Sequence, residues 1–116
     1  MATLLHGTTR HRAEKIVVEG PDPKSLGPEG FSTYLESGPF LFGPPADYAR
    51  KKAALPECKN DRGPAILAFD VPDDIIALAI DEYFPLSQGL VQFDEGKGLE
   101  ELRAAWSTLA KEIRPV

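Results

Sequence analysis

The order of helix and strand signals along this 116-residue chain predicts an α+β fold. Strand-like apolar runs and helical repeats follow one another without the regular alternation that is typical of a doubly wound parallel sheet. The sequence contains neither an internal repeat nor a low-complexity tract. We therefore expect a single domain over residues 1–116, with mixed or antiparallel strands and flanking helices. A chain of this length buries a core without disulfide bonds or metal ions.

Composition and charge narrow the classes of function. Hydrophobic residues make up 42% of the chain and charged residues 27%, as in an ordinary globular domain, and the net charge is −5. A negative chain is poorly suited to hold nucleic acid through counterion release. No apolar run is long enough to cross a bilayer and no secretory signal is visible, so the sequence predicts a cytoplasmic protein with no membrane partner. The single cysteine, Cys58, lies in the polar stretch "PECKNDRGP", which predicts an exposed free thiol and no zinc cluster.

The amino-terminal half predicts strand, helix, loop and helix in that order. Residues 3–7 form an apolar run typical of a strand, and Thr8 or Thr9 supplies the cap of a helix that ends at Gly20. A loop rich in proline and glycine follows, and the next extended segment is expected at residues 39–42. A second helix over residues 46–54 comes after, with a proline suited to its first turn.

The carboxyl-terminal half contains the clearest strand signal. Residues 64–72 are apolar and bracketed by prolines, and residues 89–96 alternate so that Val91 and Phe93 share a face. The run "DDIIALAIDEYF" between them is compatible with either a short helix or an extended segment. A final amphipathic helix is predicted from a stripe that comprises Leu99, Leu102, Trp106, Leu109 and Ile113. The segment "EIRPV" is expected to close the chain as an edge strand.

Polar residues follow the first strand directly, in the stretch "LLHGTT". The end of a buried strand is a common place for a binding site, because backbone and side-chain polar groups converge there on a rigid support. His6, Gly7 and Thr8 are therefore candidates for ligand binding. A turn histidine with a structural role is the alternative for His6, and a helix cap is the alternative for Thr8.

Three pieces of the sequence resemble the ADP-ribosyltransferase superfamily, over about residues 3–72. "LLHGTT" resembles the histidine-glycine-serine/threonine element of the superfamily's first strand. "GPFLFGPPADYARKKA" resembles its second element, a glycine-x-aromatic strand followed by a helix. "GPAILAFDVP" resembles the strand that comes next. Each piece alone is a weak motif, and their order and spacing together carry the resemblance.

The resemblance implies a split sheet with flanking helices and NAD⁺ as the substrate. In this superfamily NAD⁺ loses nicotinamide through a transition state that is similar to an oxocarbenium ion. By this resemblance His6 would bind a ribose, Gly7 the carboxamide through its backbone, and Thr8 a second ribose hydroxyl or a phosphate. Phe40 and Tyr48 would sandwich the cationic nicotinamide ring, which stacking and cation–π attraction both favour.

The sequence departs from the superfamily's pattern at two places. The strand aromatic is often tyrosine, whereas the matching residue here is Phe40, or Leu41 if the register slips by one position. The late-strand glutamate that positions the ribose has two candidates, Glu82 in "DEYF" and Gln92 in "GLVQF", with Glu95 close to the second. A glutamine there binds a ribose hydroxyl but accepts no proton as a general base. The sequence leaves the choice open, with a slight preference for Glu82.

Two main functions follow as expectations. The first is an NAD⁺-dependent mono-ADP-ribosyltransferase that transfers ADP-ribose to a protein, a nucleic acid, a small molecule or water. The second is an inactive module of the same fold that binds NAD⁺, ADP-ribose or a protein partner. A third is an α+β interaction protein in which the "HGT" match is accidental. The loop over residues 20–38 is expected to frame the mouth of the site.

Overall fold

The fold is a five-stranded antiparallel sheet with helices on both faces, which confirms the predicted α+β class. A computed structural model describes residues 1–25, 30–40, 43–79, 89–94 and 96–116. The strands run in the order β4-β2-β1-β3-β5, so the first strand lies at the centre of the sheet. Their bounds are β1 Ala2–Thr9, β2 Phe31–Leu35, β3 Pro64–Val71, β4 Leu90–Phe93 and β5 Lys111–Pro115.

The helices of the described chain are α1 (Arg10–Glu19), α2 (Pro45–Ala53), α3 (Asp73–Leu78) and α4 (Lys97–Ala105). The caps of α1 were predictable: the Thr9 hydroxyl accepts a hydrogen bond from the Arg12 N–H at 3.3 Å. Gly20 ends the same helix with φ +79°, a conformation that glycine adopts without steric cost.

The two faces of the sheet carry different helices. Leu4 pairs with Phe69 in the register of β1 and β3, and both side chains lie in the main core with residues of α1, α3 and α4. Gly7 points to the opposite face, because successive residues of a strand alternate. There α2 packs against the sheet, with the Pro45 carbonyl directly over Gly7. The central strand is therefore enclosed between helices on both sides.

The sheet is continuous, so the split sheet that the resemblance implied is not found among the described residues, although only two residue pairs join β1 and β2. These strands pair at Leu4 with Leu35 and at Leu5 with Tyr34. Beyond Leu5, the imidazole of His6 makes the next connection, a hydrogen bond to the Ser32 carbonyl. A side-chain hydrogen bond therefore replaces the backbone hydrogen bonds between β1 and β2 at the point where β1 reaches the cleft described below.

The second strand lies earlier in the chain than the sequence predicted. Phe31–Leu35 forms β2, inside the segment expected to be loop, and residues 38–40 belong to no strand. Residues 31–35 alternate between the core and the opposite face and bond to strands on both sides. Pro39 has no N–H to donate to such a ladder. Prediction of an extended strand at 39–42 was wrong for residues 39 and 40, and residues 41–42 lie outside the described chain.

The predicted carboxyl-terminal helix is too long. Helix α4 ends at Ala105, a short 3₁₀ turn carries Trp106, and Ile113 belongs to β5. The Lys111 ammonium donates hydrogen bonds to the carbonyls of Trp106 and Leu109, at 2.6 and 2.8 Å, and so satisfies acceptors that the helix end leaves open. The edge strand is confirmed, since β5 pairs with β3 only at the margin of the sheet.

Cys58 is buried rather than exposed. Its residue is 2% exposed in a 3₁₀ turn at Pro56–Cys58, and its thiol contributes a hydrogen bond to Asp61. The prediction of an exposed thiol was wrong, because the turn directs the Cys58 side chain inward while its polar neighbours in the sequence face solvent. Among the described residues, no helix is long and apolar enough to cross a membrane.

Candidate functional site

A cleft of about 440 Å³ lies at the carboxyl end of the central strand β1. Helix α1 forms one wall and helix α2 the other, and the start of β2 closes the cleft at Phe31. Of the residues predicted to bind a cofactor, the cleft brings together His6, Gly7, Thr8 and Tyr48. The lining also includes residues 20–22, 25 and 30, which belong to the loop expected to frame the site.

His6 is held by its ring nitrogen and by an aromatic neighbour. Its Nδ1 lies 2.8 Å from the Ser32 carbonyl oxygen. A carbonyl only accepts hydrogen bonds, so Nδ1 carries the proton and Nε2 keeps its lone pair when the ring is neutral. The ring also lies against Phe31, with a centroid distance of 4.4 Å. These two contacts fix both the tautomer and the plane of the imidazole.

The surroundings of His6 favour its neutral form. Burial lowers the pKa of His6 to about 4, and the hydrogen bond to Ser32 offsets only part of that effect. The positive charge of Lys52 lowers the pKa further. At neutral pH the imidazole is therefore uncharged, with Nε2 available as a hydrogen-bond acceptor. It is suited to bind a hydroxyl group, and not to donate a proton as a general acid.

Gly7 allows α2 to approach the central strand. A Cβ at this position would lie 2.4 Å from the Pro45 carbonyl oxygen and 3.2 Å from the Ala49 nitrogen. No side chain fits in that space without moving the helix backbone. The structure thus provides a packing reason for the glycine that the sequence analysis explained through a ligand carboxamide.

Helix α2 presents an aromatic ring and a cation to the cleft. Tyr48 and Lys52 are four residues apart, on one side of the helix, and both line the cleft. The adjacent side of the same helix is anchored by the buried Ala49. Tyr48 is 48% exposed, so much of its side chain is accessible to a ligand. The position of Tyr48 in the cleft depends on the packing of α2 against Gly7, because that contact sets the position of the helix.

The wall made by α1 is tied to the loop before β3. The Asp61 carboxylate accepts hydrogen bonds from the Thr9 hydroxyl at 3.0 Å and from Arg12 Nε at 3.3 Å. Burial would raise the pKa of Asp61, and these hydrogen bonds outweigh it and hold the pKa below its usual value. The Asp61 carbonyl also accepts the His11 N–H at 3.0 Å, which satisfies an open donor of the first helical turn.

Phe40 does not join the other predicted residues. It is 36% exposed, does not line the cleft, and meets Tyr34 edge-on at a centroid distance of 6.4 Å. The aromatic residue beside His6 is Phe31, which the sequence analysis missed. The alternation of Phe31, Thr33 and Leu35 after Gly30 was the signal that could have identified it.

Gln92 and His6 share the partner Ser32 but lie on opposite faces of the sheet. Gln92 is directly opposite Ser32 in the register of β2 and β4, and its Nε2 donates to the Ser32 hydroxyl at 3.3 Å. His6 belongs to the core face, with Phe31, so the two side chains do not face each other across the cleft. Glu82, Leu41 and Glu95, the other candidates of the sequence analysis, lie outside the described residues.

The arrangement combines three chemical groups in one cleft: a neutral imidazole, the ring of Tyr48 and the ammonium group of Lys52. Together they can bind a ligand that has hydroxyl groups, a flat ring and negative charge. Within the described part of the chain, no cluster of three or more acidic, histidine or cysteine side chains could hold a metal ion. Comparison of the chain with protein-family models, with curated proteins and with solved structures finds no match.

Proposed function

We propose that this chain is an ADP-ribosyltransferase-like domain that binds NAD⁺ in the cleft and transfers ADP-ribose to an acceptor or to water. The observation that carries the proposal is the neutral imidazole of His6, whose tautomer leaves Nε2 as an acceptor in the same cleft as Tyr48. Ribose hydroxyls are the donors such an acceptor binds. The nicotinamide ring is the flat, cationic group that an open tyrosine ring attracts.

The proposed mechanism gives His6 a binding role in catalysis. A hydrogen bond from a ribose hydroxyl to Nε2 fixes the sugar while its bond to nicotinamide breaks. The ribose then develops oxocarbenium character, and nicotinamide leaves as a neutral molecule. A neutral imidazole suits this step, because a cationic one would oppose the positive charge that develops on the ribose. Tyr48 holds the departing ring against one side of the cleft.

The ADP-ribosyltransferase-like form of the α+β fold is part of this proposal. Two features support it. The "HGT" residues stand at the end of the central strand, beside the cleft. The helix that contains Tyr48 packs directly against Gly7 of that motif. The second feature joins pieces of the sequence that are about 40 residues apart in the chain, as the resemblance requires.

The test is release of nicotinamide from NAD⁺ by the purified chain, followed by chromatography. His6→Asn is the informative variant, because its amide still donates to the Ser32 carbonyl but lacks an acceptor at the position of Nε2. We expect it to lower turnover by about 10- to 100-fold, the value of a lost hydrogen bond to a reacting group. Phe40→Leu, outside the cleft, is the control and is expected to keep wild-type turnover. A wild-type chain that neither binds nor consumes NAD⁺ contradicts the proposal.

A second candidate function is nucleotide binding without turnover. It is favoured by the orientation of Gln92, a neutral amide whose side chain is bonded to Ser32 on the face opposite His6. Calorimetry that shows NAD⁺ binding, with nicotinamide still attached after incubation, selects this candidate.

The late-strand position is tested by two variants, Glu82→Ala and Gln92→Ala. If the chain is an enzyme that uses Glu82, the first variant loses turnover and the second keeps it. The reverse result assigns the position to Gln92. Equal turnover in both variants and the wild type excludes both residues from catalysis.

A further inference from the structure

We propose that Lys52 is a specificity-determining residue of the cleft, whose ammonium group binds the diphosphate of the ligand. The cleft would then accept nucleotides that contain a diphosphate in preference to nucleosides. This inference rests on the proposed function only in taking NAD⁺ as the natural ligand. It extends that proposal to Lys52, which has no role in the resemblance described above.

Lys52 lines the same cleft as His6 and Tyr48, the two residues proposed to hold the ligand. It follows Tyr48 by one helical turn on the side of α2 that lines the cleft. Its charge acts on the imidazole of His6, since it contributes to the lowered pKa of that residue. An ammonium group in this position therefore lies within electrostatic reach of the atoms that the proposed function assigns to ribose binding.

The charge of Lys52 is not neutralised on its own wall. Among the described residues it forms no ion pair. Asp47, the acid nearest to it on α2, pairs with Arg50 at 3.0 Å and does not line the cleft. The α2 wall thus offers the cleft one positive charge with no acidic partner.

On the opposite wall acidic side chains outnumber the lysine and arginine side chains, since Glu19, Asp22 and Asp61 line the cleft with Arg12 and Lys15. Arg12 pairs with Asp61, and Lys15 lies one helical turn from Glu19 on α1. Asp22 is held by its own loop, where it accepts hydrogen bonds from the Lys24 N–H and the Ser25 hydroxyl at 2.9 and 3.0 Å. A negative ligand entering the cleft is therefore drawn to the α2 wall, where its charge is matched by Lys52.

A diphosphate is the ligand group that fits this charge. It carries negative oxygens on a short linker between two sugars, so a nucleotide that places one ribose at His6 brings its diphosphate close by. A lysine binds such a group as a point charge, with no demand for a fixed geometry.

The experiment uses the full chain, with ADP-ribose as one probe and inorganic pyrophosphate as the other. Calorimetry measures the affinity for ADP-ribose, and thermal shift measures binding of pyrophosphate. The variants are Lys52→Gln, which removes the charge, and Lys52→Arg, which keeps it. The matched control is Lys51→Gln, on the adjacent, exposed residue that does not line the cleft. Melting curves without ligand show that each variant folds.

We expect Lys52→Gln to bind ADP-ribose about tenfold more weakly, as for loss of one charge-assisted hydrogen bond, and to lose the shift with pyrophosphate. Lys52→Arg and Lys51→Gln are expected to bind both probes like the wild type. Equal affinities of Lys52→Gln and Lys51→Gln overturn the inference, as does a wild type that binds neither probe. A different result would contradict the proposed function alone. If the chain binds pyrophosphate in a way that depends on Lys52 but neither binds nor consumes NAD⁺, the inference about Lys52 holds and the proposed function is wrong.

Discussion

Acidification from about pH 7.5 to about pH 5 is expected to destabilise this protein through the partly buried imidazole of His6. The pKa of His6 is about 4 in the folded chain, against 6.5 for histidine in ordinary surroundings. Between these two values the unfolded chain binds a proton that the folded chain does not. The contribution of His6 to stability is therefore complete above pH 6.5, decreases as the pH falls, and is fully lost below about pH 4.

The size of the effect follows from the difference between the two pKa values. Each pKa unit corresponds to about 1.4 kcal/mol, so the complete loss is about 3 kcal/mol. At about pH 5 the unfolded chain is almost fully protonated at this residue and the folded chain hardly at all, which gives a loss of about 2 kcal/mol. The carboxylates of Glu14, Asp22 and Asp61 have lowered pKa values and add little in this range, because their ordinary values, 4.5 and 3.8, already lie below pH 5, so that these groups are mostly charged in both the folded and the unfolded chain.

The assay is urea unfolding of the wild type and of His6→Asn at both pH values. The asparagine keeps a donor for the Ser32 carbonyl and does not titrate, so the difference between the two pH responses isolates His6. His11, the other histidine of the chain, is present in both proteins and cancels. We expect the wild type to lose about 2 kcal/mol more than the variant on acidification.

An equal loss of stability in both proteins would refute the reasoning, since it would mean that His6 takes up its proton equally in the folded and unfolded states. A direct measurement covers the case in which the variant does not fold. The ring-proton signals of His6 in the wild type are expected to titrate near pH 4 by NMR. A midpoint near 6.5 would exclude burial of a neutral ring.

Two further predictions concern packing at Gly7 and at Cys58. Gly7→Ala is expected to lower the free energy of unfolding by about 1–3 kcal/mol, as measured by urea unfolding, because its Cβ would lie against the Pro45 carbonyl. A decrease of less than about 0.5 kcal/mol would show that α2 moves aside freely. Cys58 is expected to react with a disulfide reagent slowly in the native protein and rapidly in urea, since its residue is 2% exposed; rapid reaction of the native protein would contradict its burial.

Local patterns in the sequence predicted most of the elements correctly. Helix α1 is flanked by Thr9 and Gly20, whose roles depend on hydrogen bonds within a few residues. Strand β3 was predicted correctly because its apolar run is bounded by prolines. Val91 and Phe93 are both buried in the core, as their alternation predicted.

The predictions failed where a residue's role depends on a partner far along the chain. The segment 39–42 is as aromatic as Phe31–Leu35, and only pairing with β1 and β4 distinguishes the true strand. The stripe that ends at Ile113 fits a helix, although that residue pairs in β5 with Leu67. For such segments the local periodicity is satisfied by two structures, and tertiary contacts select one.

The same distinction between local patterns and long-range contacts applies to the candidate site. The sequence by itself determined that His6, Gly7 and Thr8 stand at the end of a strand and that Tyr48 stands on a helix, because these placements depend on local patterns. Only the tertiary structure decided that His6 stacks on Phe31, bonds to Ser32 and is neutral, since burial and long-range hydrogen bonds set its tautomer and pKa. The position of Phe40 outside the cleft was decided there too, because strand pairing assigns the place beside His6 to a different aromatic ring.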